Sequence, residues 1–421
     1  MSLMEQLLDH LEEGRLEEAK KTFEDFLALG TDEEKYALAG QLEGLGFLNE
    51  AQQLYKDLLA SYPDDGELVI LMAETLIDMD KEEEAILYLD RIPETDPDYP
   101  RALLLLADLY QMQGLYEVSE NKLMEAASLL PEEPVIHFAL AEFYASCARY
   151  AEASREYEWL LGKGIDTFAD TNIHGRLAEV LSAAGAFEEA LHQYEHAMEG
   201  RFEANTLFGY ALTAYQAGFY EKAIELFEEL RETDPGYHPL YLYLGRAYEH
   251  EQMPEEALAA AEKGIKEDEY DKELYHFAGK MATKAGDEEK AENYFKKALE
   301  LDPGYLDAAL SYNELLLQKE RYEEVRDRAL SMEKEGDTDP RLYWDLAISL
   351  KHLEEYSQAL KYYGYAYNDL QNDTVFLEDY GYFLIEEGRR KEAYGIFQKL
   401  LREDPANDEW IALLERLEDG N

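Results

Sequence analysis

The chain has 421 residues, 94 Asp+Glu against 39 Lys+Arg for a formal net charge of −55, and it is 46% hydrophobic and 12% aromatic. Phosphate backbones and anionic membrane surfaces are bound by neutralising them with Lys and Arg, so that balance argues against both as partners. The apolar fraction is too high for a disordered acidic chain, and length alone predicts about three domains.

Read from the N-terminus, the chain turns acidic within five residues and has no basic region ahead of an apolar one, so no targeting peptide is expected. The longest apolar stretch, Ala102–Ala107, is far short of the roughly 20 residues of a membrane span. The single cysteine, Cys147, has no partner for a disulfide. These features predict a cytoplasmic protein.

A repeat runs along the whole length. A small residue follows polar pairs at Ala19, Ala51, Ala85, Ser119, Ala153, Ala190, Ala223, Ala257, Ala291, Val325, Ala359 and Ala393, in steps of mostly 34 residues. Pro63, Pro97 and Pro131 are 34 apart, and Pro235, Pro303 and Pro405 are separated by multiples of 34. Twelve residues before the alanine stands a second small residue, as at Ala39, Ala73, Ala141, Gly245 and Gly279, and a glycine recurs between the two, as at Gly46, Gly114, Gly185 and Gly286. Four residues after the alanine comes a large apolar residue, such as Tyr55, Phe227 or Phe295, on the same helical face. Each period therefore predicts two short antiparallel helices that approach closely. The glycine supplies a left-handed turn, and the proline ends the second helix.

In chain order, four local features interrupt or decorate that frame. Glu17-Glu18, Glu83-Glu84, Glu188-Glu189, Glu255-Glu256 and Glu288-Glu289 fall where second helices start, where the helix dipole favours negative charge. Gly162-Lys163-Gly164-Ile165-Asp166-Thr167 is three residues too long and lacks the proline. It reads as a joint between a stack of about five repeats, 1–165, and one of about seven, 166–406, and not as a phosphate loop, whose full pattern is absent. His192-Gln193-Tyr194-Glu195-His196 spells H-x-x-E-H, an inverted zinc-protease helix. Tyr194 is the core aromatic of its unit, however, which turns both histidines toward solvent, and no third ligand is suggested. Residues 407–421 read as a capping helix with Trp410, Leu413, Leu414 and Leu417 on one face.

The pattern resembles the tetratricopeptide repeat (TPR) at its small, Ala, aromatic and Pro positions, most completely in Asp271–Pro303, and covers about twelve units. The first unit departs from it at Leu7, and the tenth at Asn313 and Val325, where looser packing is expected. Within that family, the stretch Leu103–Ala126 is similar to the long acidic TPR proteins of low-GC Gram-positive bacteria, the YpiA type. The resemblance implies an all-α fold, a right-handed α-solenoid or superhelix of stacked antiparallel helix pairs, whose first helices line a concave groove for peptides or protein segments.

Inward positions in that frame are acidic in the N-terminal half, at Glu67, Glu74, Asp78, Asp108 and Glu142. Farther on they are mixed: Arg176, Arg246, His276, Lys280, Lys284 and Arg341 accompany Phe208, Tyr215, Tyr243, Phe277 and Trp344. The expected ligands are a basic segment in the N-terminal half and an acidic segment with aromatic or apolar anchors in the other. The competing reading makes these side chains only a solvated helix face. The function expected is a non-catalytic protein–protein interaction scaffold or adaptor, without catalytic residues, metal or other cofactor. One alternative is a peptide-responsive regulator of a partner's activity, although repeats beginning near residue 4 leave no room for an N-terminal effector bundle. A remoter one is a metal-dependent hydrolase through His192, Glu195 and His196. Self-repulsion at this charge favours a monomer or small oligomer.

Overall fold

The computed structural model describes residues 2–199 and 203–418, nearly all of them helical. Their contacts group into two compact units, residues 1–201 and 202–421. The first unit holds six helix pairs: α1 (Leu3–Glu12) with α2 (Leu16–Leu29), α3 (Asp32–Gly44) with α4 (Leu48–Ser61), and α5 (Gly66–Asp78) with α6 (Glu82–Leu89). These are followed by α7 (Tyr99–Met112) with α8 (Tyr116–Leu129), α9 (Pro134–Ser146) with α10 (Tyr150–Gly162), and α11 (Ile173–Ala183) with α12 (Phe187–Ala197). The second unit repeats the arrangement with α13 (Ala204–Gln216) and α14 (Tyr220–Thr233), α15 (Pro239–His250) and α16 (Pro254–Glu267), and α17 (Lys272–Lys284) and α18 (Glu288–Leu301). It continues with α19 (Leu306–Gln318) and α20 (Tyr322–Glu335), α21 (Pro340–His352) and α22 (Tyr356–Leu370), α23 (Thr374–Glu386) and α24 (Arg390–Glu403), and the single α25 (Asp408–Glu418). Within each unit, most second helices pack on the first helix of the following pair, as α10 does on α11 and α16 on α17. This is the helix-pair stacking of a TPR solenoid.

The turn inside each pair shows how local chemistry sets the period. All twelve contain a residue with positive φ, from Gly14 and Gly46 through Gly286 to Gly388. In each, the following amide donates back five residues, for example Asp287 N to Ala282 O at 2.8 Å, which closes the first helix. Asp80, Ala148, Gln252, Glu320 and Glu354 adopt the same conformation without being glycine, at φ 56–61°. That conformation costs an L-residue roughly 1 kcal/mol, so at these five turns packing of the pair imposes it. The expected small positions are buried throughout, and the closest approaches need glycine: a Cβ on Gly279 would lie 2.5 Å from the Phe295 ring. The acid pairs do occupy the first turns of α2, α6, α12, α16 and α18.

At Asn313 the tenth repeat replaces small-residue packing with a buried polar chain. Asn313 donates to Asp345 at 3.0 Å and accepts from Arg328 at 2.8 Å, while the Arg328 guanidinium lies 3.9 Å from the Tyr312 ring centre. Trp410 and Leu417 of α25 are buried against the preceding pair, with Leu413 and Leu414 partly covered. Residues 419–421 of the expected cap lie outside the described residues.

The break in period has a definite shape. Thr167–Phe168 (β1) and Thr171–Asn172 (β2) pair antiparallel around Ala169 and Asp170, both at positive φ. Asn172 then caps α11 by accepting from Gly175 N at 3.0 Å, and its amide reaches Ala197 O at 3.3 Å. Ile173, Leu177 and Val180 share one core with Tyr157 and Leu160. The extra residues are thus absorbed in a pinned hairpin, and the compact units divide at 201/202, whereas the lost period pointed to 165/166.

Candidate functional site

In the first unit, most of the acidic first-helix face is already engaged. Glu67 accepts from the Tyr36 hydroxyl at 2.8 Å, and Glu74 pairs with Arg101 at 2.7 Å. Glu142 receives the Tyr157 hydroxyl and two bonds from Arg176, at 2.9 and 2.6 Å, while Arg176 also reaches Glu179. Those bonds hold the guanidinium well above its ordinary pKa. Arg176 therefore belongs to the acidic face of the first unit, not to a basic half. Asp78 is exposed at the end of α5. Asp108 alone of the five predicted acids opens into a sizeable depression with no cation beside it.

That depression, about 680 Å³, lies between the first helices α7 and α9. Its walls are mostly apolar, with Leu104, Met112, Tyr116, Val135 and Phe138 among them, and Asp108, Gln111, Glu142 and Ser146 add polar groups. The acid-centred sequence reading missed this floor. A signal was present: four consecutive leucines, Leu103–Leu106, cannot all face the core of one amphipathic helix.

In the second unit the predicted basic and aromatic residues separate into three groups. Phe277 is only 5% exposed and packs where Gly245 leaves space for its ring, so it is interior and not a groove residue. Lys284 pairs with Glu249 at 2.5 Å and Arg341 with Asp339 at 3.1 Å; Trp344 donates to Asp379 at 2.8 Å. Phe208, Tyr215 and Tyr243 form a half-buried ring cluster with centroids 5.9 Å apart along Phe208–Tyr243–Tyr215. Arg246 sits 5.8 Å from the Tyr243 ring centre. His276 is bracketed by the Tyr305 hydroxyl at 3.2 Å and Ser311 Oγ at 2.9 Å. Burial, with Lys280 nearby, lowers its pKa to about 4, so it is neutral at physiological pH. Among the described residues, Arg246 and Lys280 have no carboxylate within ion-pair distance. Lys280 borders a depression of about 180 Å³ with Thr283, Lys284, Ser311 and Glu314.

The H-x-x-E-H segment lies as its repeat position requires. Tyr194 is buried, while His192 and His196 are exposed on α12, their rings 4.7 Å apart and His196 5.2 Å from His174. Among the described residues, no group of three or more His, Cys, Asp or Glu is placed to hold a metal ion. No described helix is long and apolar enough to cross a membrane.

Comparison with known proteins adds the following. A model described as YpiA-like tetratricopeptide repeats matches residues 111–165, and one for YpiA-like C-terminal tetratricopeptide repeats matches 340–407. A general tetratricopeptide repeat model matches 46–109, 214–279 and 282–347. The chain is 42% identical over 419 residues to the TPR repeat-containing protein YpiA of Bacillus subtilis (strain 168), covering 99% of both. Among solved structures, the APC/C hetero-tetramer Cut9–Hcn1 is 14% identical with a TM-score of 0.41, covering 99% of this chain and 96% of that one. A tetratricopeptide repeat protein from Parabacteroides merdae is 19% identical with a TM-score of 0.43, covering 60% and 98%.

Proposed function

The chain belongs to the YpiA-like family of tetratricopeptide repeat proteins, and from that membership we propose where this non-catalytic protein- and peptide-binding scaffold holds its partners. The partner segment lies along the first-helix faces, in a cytoplasmic setting, on a monomer or small oligomer that its own charge keeps dispersed. The face built on Glu67, Glu74, Asp78, Asp108 and Glu142 receives basic segments. The face around Tyr215, Tyr243, Arg246, His276 and Lys280 receives a segment with a carboxylate and an apolar or aromatic anchor.

One observation carries this division. Acids outnumber bases by 94 to 39, yet among the described residues Arg246 and Lys280 stay unpaired while Arg176, Lys284 and Arg341 are each held by a carboxylate. A cation left without an anion in such a chain is available to one from outside. The test is affinity capture from cytosol with the wild-type chain and with the Arg246→Glu, Lys280→Glu double variant, read by mass spectrometry. The reversal is expected to lose a stoichiometric partner that wild type retains. An identical partner set at identical yield places that partner elsewhere on the chain.

A further inference from the structure

We propose that the depression between α7 and α9 is a docking site for a partner segment that presents one arginine or lysine flanked by apolar side chains. The inference rests on the scaffold reading and names the chemistry of one of its ligands.

The apolar side chains around the depression are open to water. Met112 is 65% exposed, Tyr116 52% and Val135 37%, and they adjoin Leu104 and the half-buried Phe138 ring in one continuous surface. Apolar side chains gathered this way in water gain from being covered.

Most polar groups at the same place already have partners. Gln111 donates to Ser146 Oγ at 3.0 Å, and Glu142 is occupied by Tyr157 and Arg176. Asp108 remains, on α7 one turn beyond Leu104 and one before Met112, with no ion pair or hydrogen bond among the described residues. Water reaches it, but the protein around it still disfavours its charge and raises its pKa above the ordinary carboxylate value. A guanidinium or ammonium brought in by a ligand compensates that carboxylate where surrounding apolar walls strengthen the pairing. An acidic or purely apolar segment would leave it buried and unpaired. The field of a chain at −55 steers a basic segment toward this face in the same sense.

The test begins with a displayed library of random peptides selected on the full-length chain. Selected peptides are then titrated by fluorescence anisotropy against wild type, Asp108→Asn, Val135→Ser, and the Arg246→Glu, Lys280→Glu double variant. Circular dichroism melts check that each variant is folded. The expected peptides carry Arg or Lys between apolar residues and bind Asp108→Asn about tenfold more weakly, the loss of one charge-assisted bond. Val135→Ser, which removes apolar wall without changing the charge, weakens them as well, and the Arg246/Lys280 variant leaves them unchanged. Peptides without a base, or with one that ignores Asp108→Asn, overturn the proposal. Peptides that respond only to Arg246 and Lys280 overturn it while leaving the scaffold reading intact. Recovery of no peptide at all removes both.

Discussion

Asp345 is the position where the fold holds a carboxylate against its preference, and replacing it by asparagine should stabilise the second unit in a pH-dependent way. The side chain is half-buried next to buried Asn313, and desolvation raises its pKa from the ordinary 3.8 to about 7 despite the bond donated by Asn313. A folded-state value above the unfolded one means that the folded protein holds the proton more tightly. The group's contribution to stability is therefore complete below about pH 4 and is lost as pH rises through about 7. Over the span from 3.8 to about 7, at roughly 1.4 kcal/mol per pH unit, the loss is at most about 4–5 kcal/mol. The new amide cannot ionise and can still accept from Asn313. Asp345→Asn should thus match wild type near pH 4 and exceed it by about 2–4 kcal/mol at pH 8. Urea denaturation at several pH values, followed by far-UV circular dichroism and by Trp344 fluorescence one residue away, measures the difference. Taking that difference cancels the general effect of net charge. A gap that is flat from pH 4 to 8, or that favours wild type at the alkaline end, would refute burial as the dominant influence on Asp345.

Two further substitutions probe the same framework. Glu292 accepts from Arg321 at 2.7 Å, Lys296 at 2.7 Å and Tyr312 at 3.1 Å, and these bonds, that of Arg321 foremost, lower its pKa from 4.5 to about 2. Its stabilisation is present above about pH 4.5 and disappears as pH falls through about 2; Glu292→Gln should cost about 1–3 kcal/mol at pH 7 and nothing near pH 2, as read by urea titration at both. Gly279→Ala would set a methyl 2.5 Å from the Phe295 ring. Overpacking of roughly 1–3 kcal/mol should outweigh the ~1 kcal/mol of added helix propensity and lower the melting temperature, and a rise in melting temperature would show that the ring has room to move.

The legible part of this protein is what repeats locally. Small residues twelve apart, a turn residue between them and an aromatic four residues on are one-helix and one-turn properties, so each could be recognised without knowing its neighbours. The twelve pairs follow from them. Even the turns at Asp80, Ala148, Gln252, Glu320 and Glu354 keep the left-handed residue the glycines announce elsewhere. The candidate site was legible only as a composition. The frame places Arg176, Lys284 and Trp344 on the first-helix face, yet each is engaged by a residue 34 or 35 positions away: Glu142, Glu249 and Asp379. Stacking brings like positions of successive repeats side by side, so every inward residue has a neighbour about one period off that no local pattern reveals.

By itself, then, the sequence determined the helix pairs, their number and the family, because these rest on periodicity and on the chemistry of turns. Tertiary structure alone decided which groups remain free. It turned Phe277 inward against Gly245, joined Arg176 to the acidic face, and left Asp108, Arg246 and Lys280 without counter-ions among the described residues. It also folded the extra length at 167–172 into a hairpin while α10 stays packed on α11, and grouped the contacts into units that meet at 201/202. The reason is the same throughout: ion pairing and close packing depend on distances of a few ångströms between residues of different repeats, and those distances exist only once the pairs have stacked.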